Sequence, residues 1–183
     1  SMQISNAAIY TEMDGGGDQV FDPFDYVVAV GWFGSMSSYP GAESPAKAFD
    51  GDAFTKYLNF GKENSGFIVT RADNAAVVVE QVTITTANDF EGRDPASWEL
   101  YGTNETVMST DNSTGEAENW TFIDSGDLAL PIDRNTAGDI VFVNNTEAYT
   151  AYKMQFPTLK DTNGNRVDSI QYSEVLIEGQ GGN

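Results

Sequence analysis

A chain of 183 residues with 28 Asp and Glu against nine Lys and Arg carries a formal net charge of −19. That excess of acid argues against nucleic acid or an anionic membrane as partner, because binding to phosphate depends on Lys and Arg. The lack of His and Cys removes Ser-His-Asp and Cys-His catalysis, disulfides and zinc–thiolate sites from the chain itself. The 11 Phe, 8 Tyr and 3 Trp are ample material for the core of one domain. No apolar run approaches the ~20 residues of a spanning helix, so no membrane insertion is expected. An acidic, lysine-poor surface suits solubility in salt and fits a saline source.

In chain order, Ser1-Met2 reads as a leftover of tag removal, with a signal peptide already gone. Residues 4–9 suit a short edge strand that Asp14–Asp18, with three glycines, breaks. Tyr26–Val30 reads as a buried strand. The loop Gly31–Gly41 carries Trp32, Phe33 and Tyr39, rings on which a sugar can stack. Their alternative use is to fold back over one end of the core. Residues 44–61 pack aromatics, aspartates and a hydroxyl around the turn Asp50-Gly51-Asp52, and Tyr57, Leu58 and Phe60 enter a core behind it.

Residues 66–70 form a strand, and 77–86 is the strongest strand signal, with Val78, Val82, Ile84 and Thr86 on one parity. A polar loop, Ala87–Pro95, leads to a strand at 97–101. Residues 107–119 are a long surface excursion. Strands follow at 120–124, 128–131, 139–143 and 149–156, the last placing Tyr152, Met154 and Phe156 on one face. Asp161–Asp168 imitates the start of an EF-hand, but its Gly164 comes early and no helices flank it, so an Asn-Gly turn is expected. Residues 170–177 close the sheet, and 180–183 read as the start of a linker. Asn-x-Ser/Thr matches at Asn104, Asn112, Asn119 and Asn144 mark surface.

Turn signals recur about every ten residues and no helical period persists, which predicts a single all-β sandwich of the jelly-roll type with about eight main strands. The expected core is Val78, Val82, Ile84, Trp98, Leu100, Phe122, Tyr152, Met154, Phe156 and Leu176. The Asp50 carboxylate, the Thr55 hydroxyl and loop carbonyls make an all-oxygen set suited to Ca²⁺; a tight acidic turn without an ion is the alternative.

The run Ala48-Phe49-Asp50-Gly51-Asp52-x-x-Thr55, followed far downstream by Ser173-Glu174-Val175-Leu176-Ile177-Glu178-Gly179, resembles the discoidin family. These are the coagulation factor 5/8 type C domains, and the likeness is greatest to their bacterial carbohydrate-binding-module branch. Residues 85–89 and 93–102 resemble the central strand pair of the same galactose-binding-like jelly roll, and the likeness spans about 40–179. It implies a structural calcium site formed by the side chains of Asp50 and Thr55, carbonyls near Lys47 and Asp52, and Glu174. The absence of His departs from the galactose-type site of many relatives.

The function expected is a non-catalytic carbohydrate-binding module, outside the cell or at its surface. Its partner would be a polysaccharide or glycan, and the domain would be a monomer within a larger multidomain chain. An adhesion or protein-interaction module, or a structural accessory domain of an enzyme, are the alternatives on the same scaffold. The acidic residues are too numerous for the paired carboxylates of a glycosidase, about 5–9.5 Å apart, to be picked out. The Gly15–Gly17 run lacks the Lys-Ser/Thr of a phosphate loop. The ligand surface expected combines Trp32, Phe33 and Tyr39 with Asn88, Asp89 and Arg93. Arg93 offers a planar fork to hydroxyls or an acidic group; alternatively it pairs with Asp89 or Asp94 and braces the loop.

Overall fold

A computed structural model describes residues 17–31, 38–161 and 167–181. The edge strand expected at 4–9, Trp32, Phe33 and the centre of the EF-hand-like stretch lie outside them. Among the described residues there are eleven strands: β1 (Asp18–Gln19), β2 (Tyr26–Val30), β3 (Tyr57–Asn59), β4 (Ser65–Thr70), β5 (Val77–Thr85), β6 (Ser97–Thr103), β7 (Thr121–Asp127), β8 (Val141–Phe142), β9 (Ala151–Phe156), β10 (Ile170–Tyr172) and β11 (Glu174–Gly181). The only helical turns among the described residues are short 3₁₀ pieces at Pro45–Ala48 and Glu91–Arg93. No helix there is long and apolar enough to cross a membrane.

The strands form a five-stranded antiparallel sheet, β2-β4-β9-β6-β7, a four-stranded one, β1-β11-β5-β8, and a small pair, β10-β3. The inner faces of the two larger sheets pack together, with Phe67, Val69, Leu100, Tyr152, Met154 and Phe156 on one side and Val79, Val82, Ile84, Val175 and Ile177 on the other. The Tyr152 hydroxyl donates across the gap to the Val77 carbonyl at 2.6 Å. One end of the core is aromatic. Tyr57 meets Tyr172 edge to face at 5.5 Å, and Phe49 meets Phe67 at 5.1 Å, arrangements that add to area burial. Buried Asn59 donates to the Val30 carbonyl and the Tyr57 hydroxyl and accepts from the Gly61 amide, which locks β3 against the end of β2.

The expected strands at 26–30, 66–70, 77–86 and 97–101 form within a residue or two at most ends, but β2, expected to be buried, is the edge strand of its sheet, with Tyr26 exposed and Val27 and Val28 half-buried. Three expected core positions are not buried. Val78 is half-buried while Val77 and Val79 are buried, because the β5–β11 register skips Glu80 between Val79↔Gly179 and Gln81↔Glu178. That bulge flips the parity of the strand's first half. Leu176 is 37% exposed and its neighbours Val175 and Ile177 are buried, so β11 has the opposite parity to the one expected. Phe122 is 55% exposed: it faces outward on edge strand β7, opposite Tyr101. Trp98, Leu100, Tyr152, Met154, Phe156, Val82 and Ile84 are buried as expected.

The single closing strand expected at 170–177 is two strands in different sheets, separated at Ser173, whose amide and hydroxyl bond to the Thr85 and Thr86 carbonyls. Gln180 and Gly181, read as linker, pair instead with Val78 and Val77. Residues 128–131 are irregular; Pro131 has no amide to donate to a ladder.

Candidate functional site

The connections after β5, β7 and β9, and the loop before β3, meet at one end of the sandwich. The first to matter is Asp50–Thr55. The Asp50 carboxylate accepts the Asp52 amide at 3.0 Å and the Thr55 hydroxyl at 3.0 and 2.9 Å, as an Asx turn does. Glu174, at the start of β11, reaches the same point and accepts the Asp52 amide at 3.0 Å. The Lys47 ammonium also sits on Asp50 at 3.0 Å, and the Asp52 carbonyl accepts the Thr55 hydroxyl at 3.1 Å.

Burial and the adjoining Asp50 push the Glu174 carboxyl up to about 7. Burial works against the Asp50 charge too, but hydrogen bonds from Lys47 and Thr55 prevail and hold Asp50 below its ordinary range. The loop thus brings Asp50, Thr55, Asp52 and Glu174 together as the sequence reading expected. Among the described residues no group of three or more His, Cys, Asp or Glu has a metal-holding arrangement; the cluster has two carboxylates, and its other oxygens are hydroxyl and carbonyl.

The second loop is Ala87–Pro95. Buried Gln171 holds it from below, donating to the Asp89 carbonyl at 2.6 Å and its carboxylate at 2.9 Å, while Lys56 pairs with Asp89 at 2.9 Å. Asp94 is fully buried; Arg134 grips it through two bonds of 2.8 Å, and Lys160 adds one of 2.9 Å. One carboxylate therefore ties together three connections, and Asn135 donates to the Ala53 carbonyl to join a fourth.

Between these anchors Phe90 takes φ +29° and ψ 85° and stands 48% exposed. Arg93 lies over its ring at 5.4 Å and pairs with Asp168 at 2.9 Å. The bracing partners expected for Arg93, Asp89 and Asp94, are already taken by Lys56 with Gln171 and by Arg134 with Lys160. The buried Arg93 Nε has no hydrogen-bond partner among the described residues. Beside the ring lies a groove of about 520 Å³, lined by Phe90, Gly92, Leu130, Ile132, Lys160 and Asp161. Ile132 is 77% exposed. A side chain on Gly92 would crowd Asp161 and Phe90, at 3.1 and 3.2 Å.

Of the residues expected to bind ligand, Asn88 is exposed beside Asp89, and Arg93 backs the ring of Phe90. Tyr39 stands apart. Its hydroxyl bonds Asp111, its ring packs edge-on to Tyr57, and it does not line the groove. Burial and the Asp111 carboxylate raise its hydroxyl to about 12. Phe90, Ile132, Lys160 and Arg134 were missed as site residues. An aromatic inside a polar, acid-rich loop was the available signal for Phe90.

No family model matches the sequence, and no curated protein does. Solved structures do match. A two-module fragment of Clostridium perfringens ZmpB, CBM32-1 and CBM32-2 in complex with GalNAc, aligns over 88% of this chain with TM-score 0.64 at 13% identity; this chain covers 36% of it. The family 32 carbohydrate-binding module of Clostridium perfringens NanJ in complex with galactose aligns over 84% of this chain and 92% of its own length, with TM-score 0.57 and 13% identity. CBM62 from Clostridium thermocellum Xyl5A aligns over 91% and 99%, with TM-score 0.55 and 17% identity. The fold is the discoidin-like, galactose-binding-like jelly roll. Within this discoidin-like frame, the Asp50 and Phe90 loops occupy the same end of the sandwich, joined through Lys56–Asp89 and Asn135–Ala53.

Proposed function

We propose that this discoidin-like domain is a non-catalytic carbohydrate-binding module that seats a sugar ring against Phe90. In this reading it works outside the cell or at its surface, as part of a larger chain. The observation that carries it is Phe90 itself, a half-exposed ring held at positive φ beside a preformed groove. A large aromatic rarely occupies such a backbone conformation, and strain of this kind gathers where a ligand needs a fixed surface. A pyranose presents an apolar C–H face to Phe90 and Ile132, while Lys160 and Asp161 on the groove wall meet its hydroxyls. Arg93 stacks behind Phe90 and keeps the ring in place. The sugars bound by the ZmpB and NanJ modules make a glycan the first ligand class to try.

The same reading includes a structural calcium ion at Asp50, Thr55, Glu174 and carbonyls near Lys47 and Asp52. Its support is chemical: an oxygen-only set in which burial, and then the adjoining Asp50 carboxylate, hold the Glu174 proton up to about 7. A divalent cation relieves that repulsion and suits such ligands. Lys47 now supplies positive charge to Asp50 and would turn away. When bound, the ion supplies fixed charge that ties the first loop to the last strand, and no chemistry on the sugar.

A glycan array probed with the labelled chain tests the function. Binding to one related group of glycans supports it; an array blank in both calcium and chelator removes it.

A further inference from the structure

The long excursion after β6 lies across the outer face of the five-stranded sheet. Over most of that face it sits flush: Val30 is 1% exposed and Lys153 2%. Asp111 accepts the Ala29 amide, and the Gly115 carbonyl receives Lys153 and Trp120. At the far end of β2 and β4 it stands away from the sheet. There the outward pairs Tyr26↔Thr70 and Val28↔Ile68 floor a groove of about 330 Å³, whose walls include Asn74, Asn104, Thr106 and Thr150.

We propose that this groove is a second sugar-ring site, at the end of the sandwich opposite Phe90. Its place follows from the groove itself; the ligand class rests on the carbohydrate-binding reading above. Tyr26 offers a ring that is 68% exposed, and half-buried Val28 extends the apolar floor, with Ile68 buried beneath it. The side chains of Asn74 and Thr106 make no hydrogen bond among the described residues, so amide and hydroxyl groups are available to a ligand's own hydroxyls.

Charge narrows the ligand to a neutral one. Glu105 is the groove's one ionised side chain, and both its oxygens accept from Asn119, at 3.0 and 2.8 Å. The wall is also built in advance. Glu118 accepts the Met108 amide, the Ser109 amide at 2.6 Å and the Ser109 hydroxyl at 2.7 Å. Asn104 exchanges bonds with Thr150 and Ala148. A ligand therefore orders little on binding. Two sites at opposite ends would let one module bridge two glycan chains, or raise its avidity for one surface.

The test is amide NMR of the ¹⁵N-labelled chain titrated separately with galactose, N-acetylgalactosamine, glucose, mannose and xylose. The expected result is saturable shifts at Tyr26, Thr106 and the Asn74 side-chain amide with at least one sugar. Those shifts should weaken about tenfold in Tyr26→Ala, the order expected for a good ring contact. Tyr26 is exposed enough that this change leaves the fold intact. Shifts at Gly92 and Arg93 report the Phe90 site separately. Shifts there alone overturn the second site and leave the first standing. Shifts at Tyr26 alone support the second and displace the first. Silence at both with all five sugars, or groove shifts that survive Tyr26→Ala unchanged, overturns the proposal.

Discussion

Asp94 and Phe90 are four residues apart and do opposite things to stability. Asp94 is buried with two cations on it, so Asp94→Ala leaves Arg134 and Lys160 without their anion. Breaking a buried pair in this way costs about 3–5 kcal/mol, and a denaturant melt should show a loss of that order. Phe90 adopts a backbone conformation that glycine takes freely and a large side chain takes only at a cost. Strain there is worth about 1–3 kcal/mol. Phe90→Gly should therefore melt no lower than the parent while losing glycan affinity by at least tenfold. A large drop in melting temperature would mean that the ring is structural. The role of Asp94 was hidden in the sequence, since nothing in Arg93-Asp94-Pro95 points to Arg134 or Lys160. Trp32, Phe33 and Tyr39 drew attention as loop aromatics, yet Tyr39 is occupied by Asp111 and Tyr57, a pairing set by distant segments.

Whole strands were easier to read than their faces. β2 and β4–β6 announce themselves by β-branched and aromatic runs between turn residues. The Glu80 bulge and the edge position of β7 leave no such trace, so alternation alone puts Val78 and Phe122 on the wrong side. The phase of β11 expected from the sequence is one residue out, which would put Leu176 inside. Close approach between strands can still be probed. A Cβ on Gly66 would lie 1.9 Å from the Met154 carbonyl oxygen of the neighbouring strand, so Gly66→Ala should destabilise by about 2 kcal/mol or more. Gly41→Ala meets nothing within 4 Å and should be neutral.

The junction of the Asp50 loop with β11 carries a pH signature. Glu174 holds its proton to about 7 in the folded chain against 4.5 ordinarily. Its contribution to stability is full below pH 4.5 and is lost as pH rises through about 7. Asp50, held low, acts the other way, losing its contribution as pH falls below 3.8. In chelator, melting temperature should fall between pH 4.5 and 7; added calcium should restore it most at the alkaline side, and Asp50→Ala should erase the difference. Melting that ignores calcium throughout this range would remove the ion from the account.

At the scale of the molecule, composition and turn spacing make the sandwich legible, and it is the resemblance to the discoidin family that implies the pairing of Asp50 and Thr55 with Glu174. The Phe90 groove is not legible in the sequence, because Leu130, Ile132, Lys160 and Asp161 come from connections with no local pattern, and only the jelly-roll topology brings them beside Phe90. The central claim is that this assembled end holds a sugar, and titration calorimetry tests it most directly. A glycan selected on the array is titrated into the parent, Phe90→Ala and Arg93→Ala. Arg93 makes one partly exposed ion pair, so its removal should cost about 1 kcal/mol of stability or less. The account predicts folded variants with affinity reduced at least tenfold in both. Parent-like affinity in the two folded variants would contradict it.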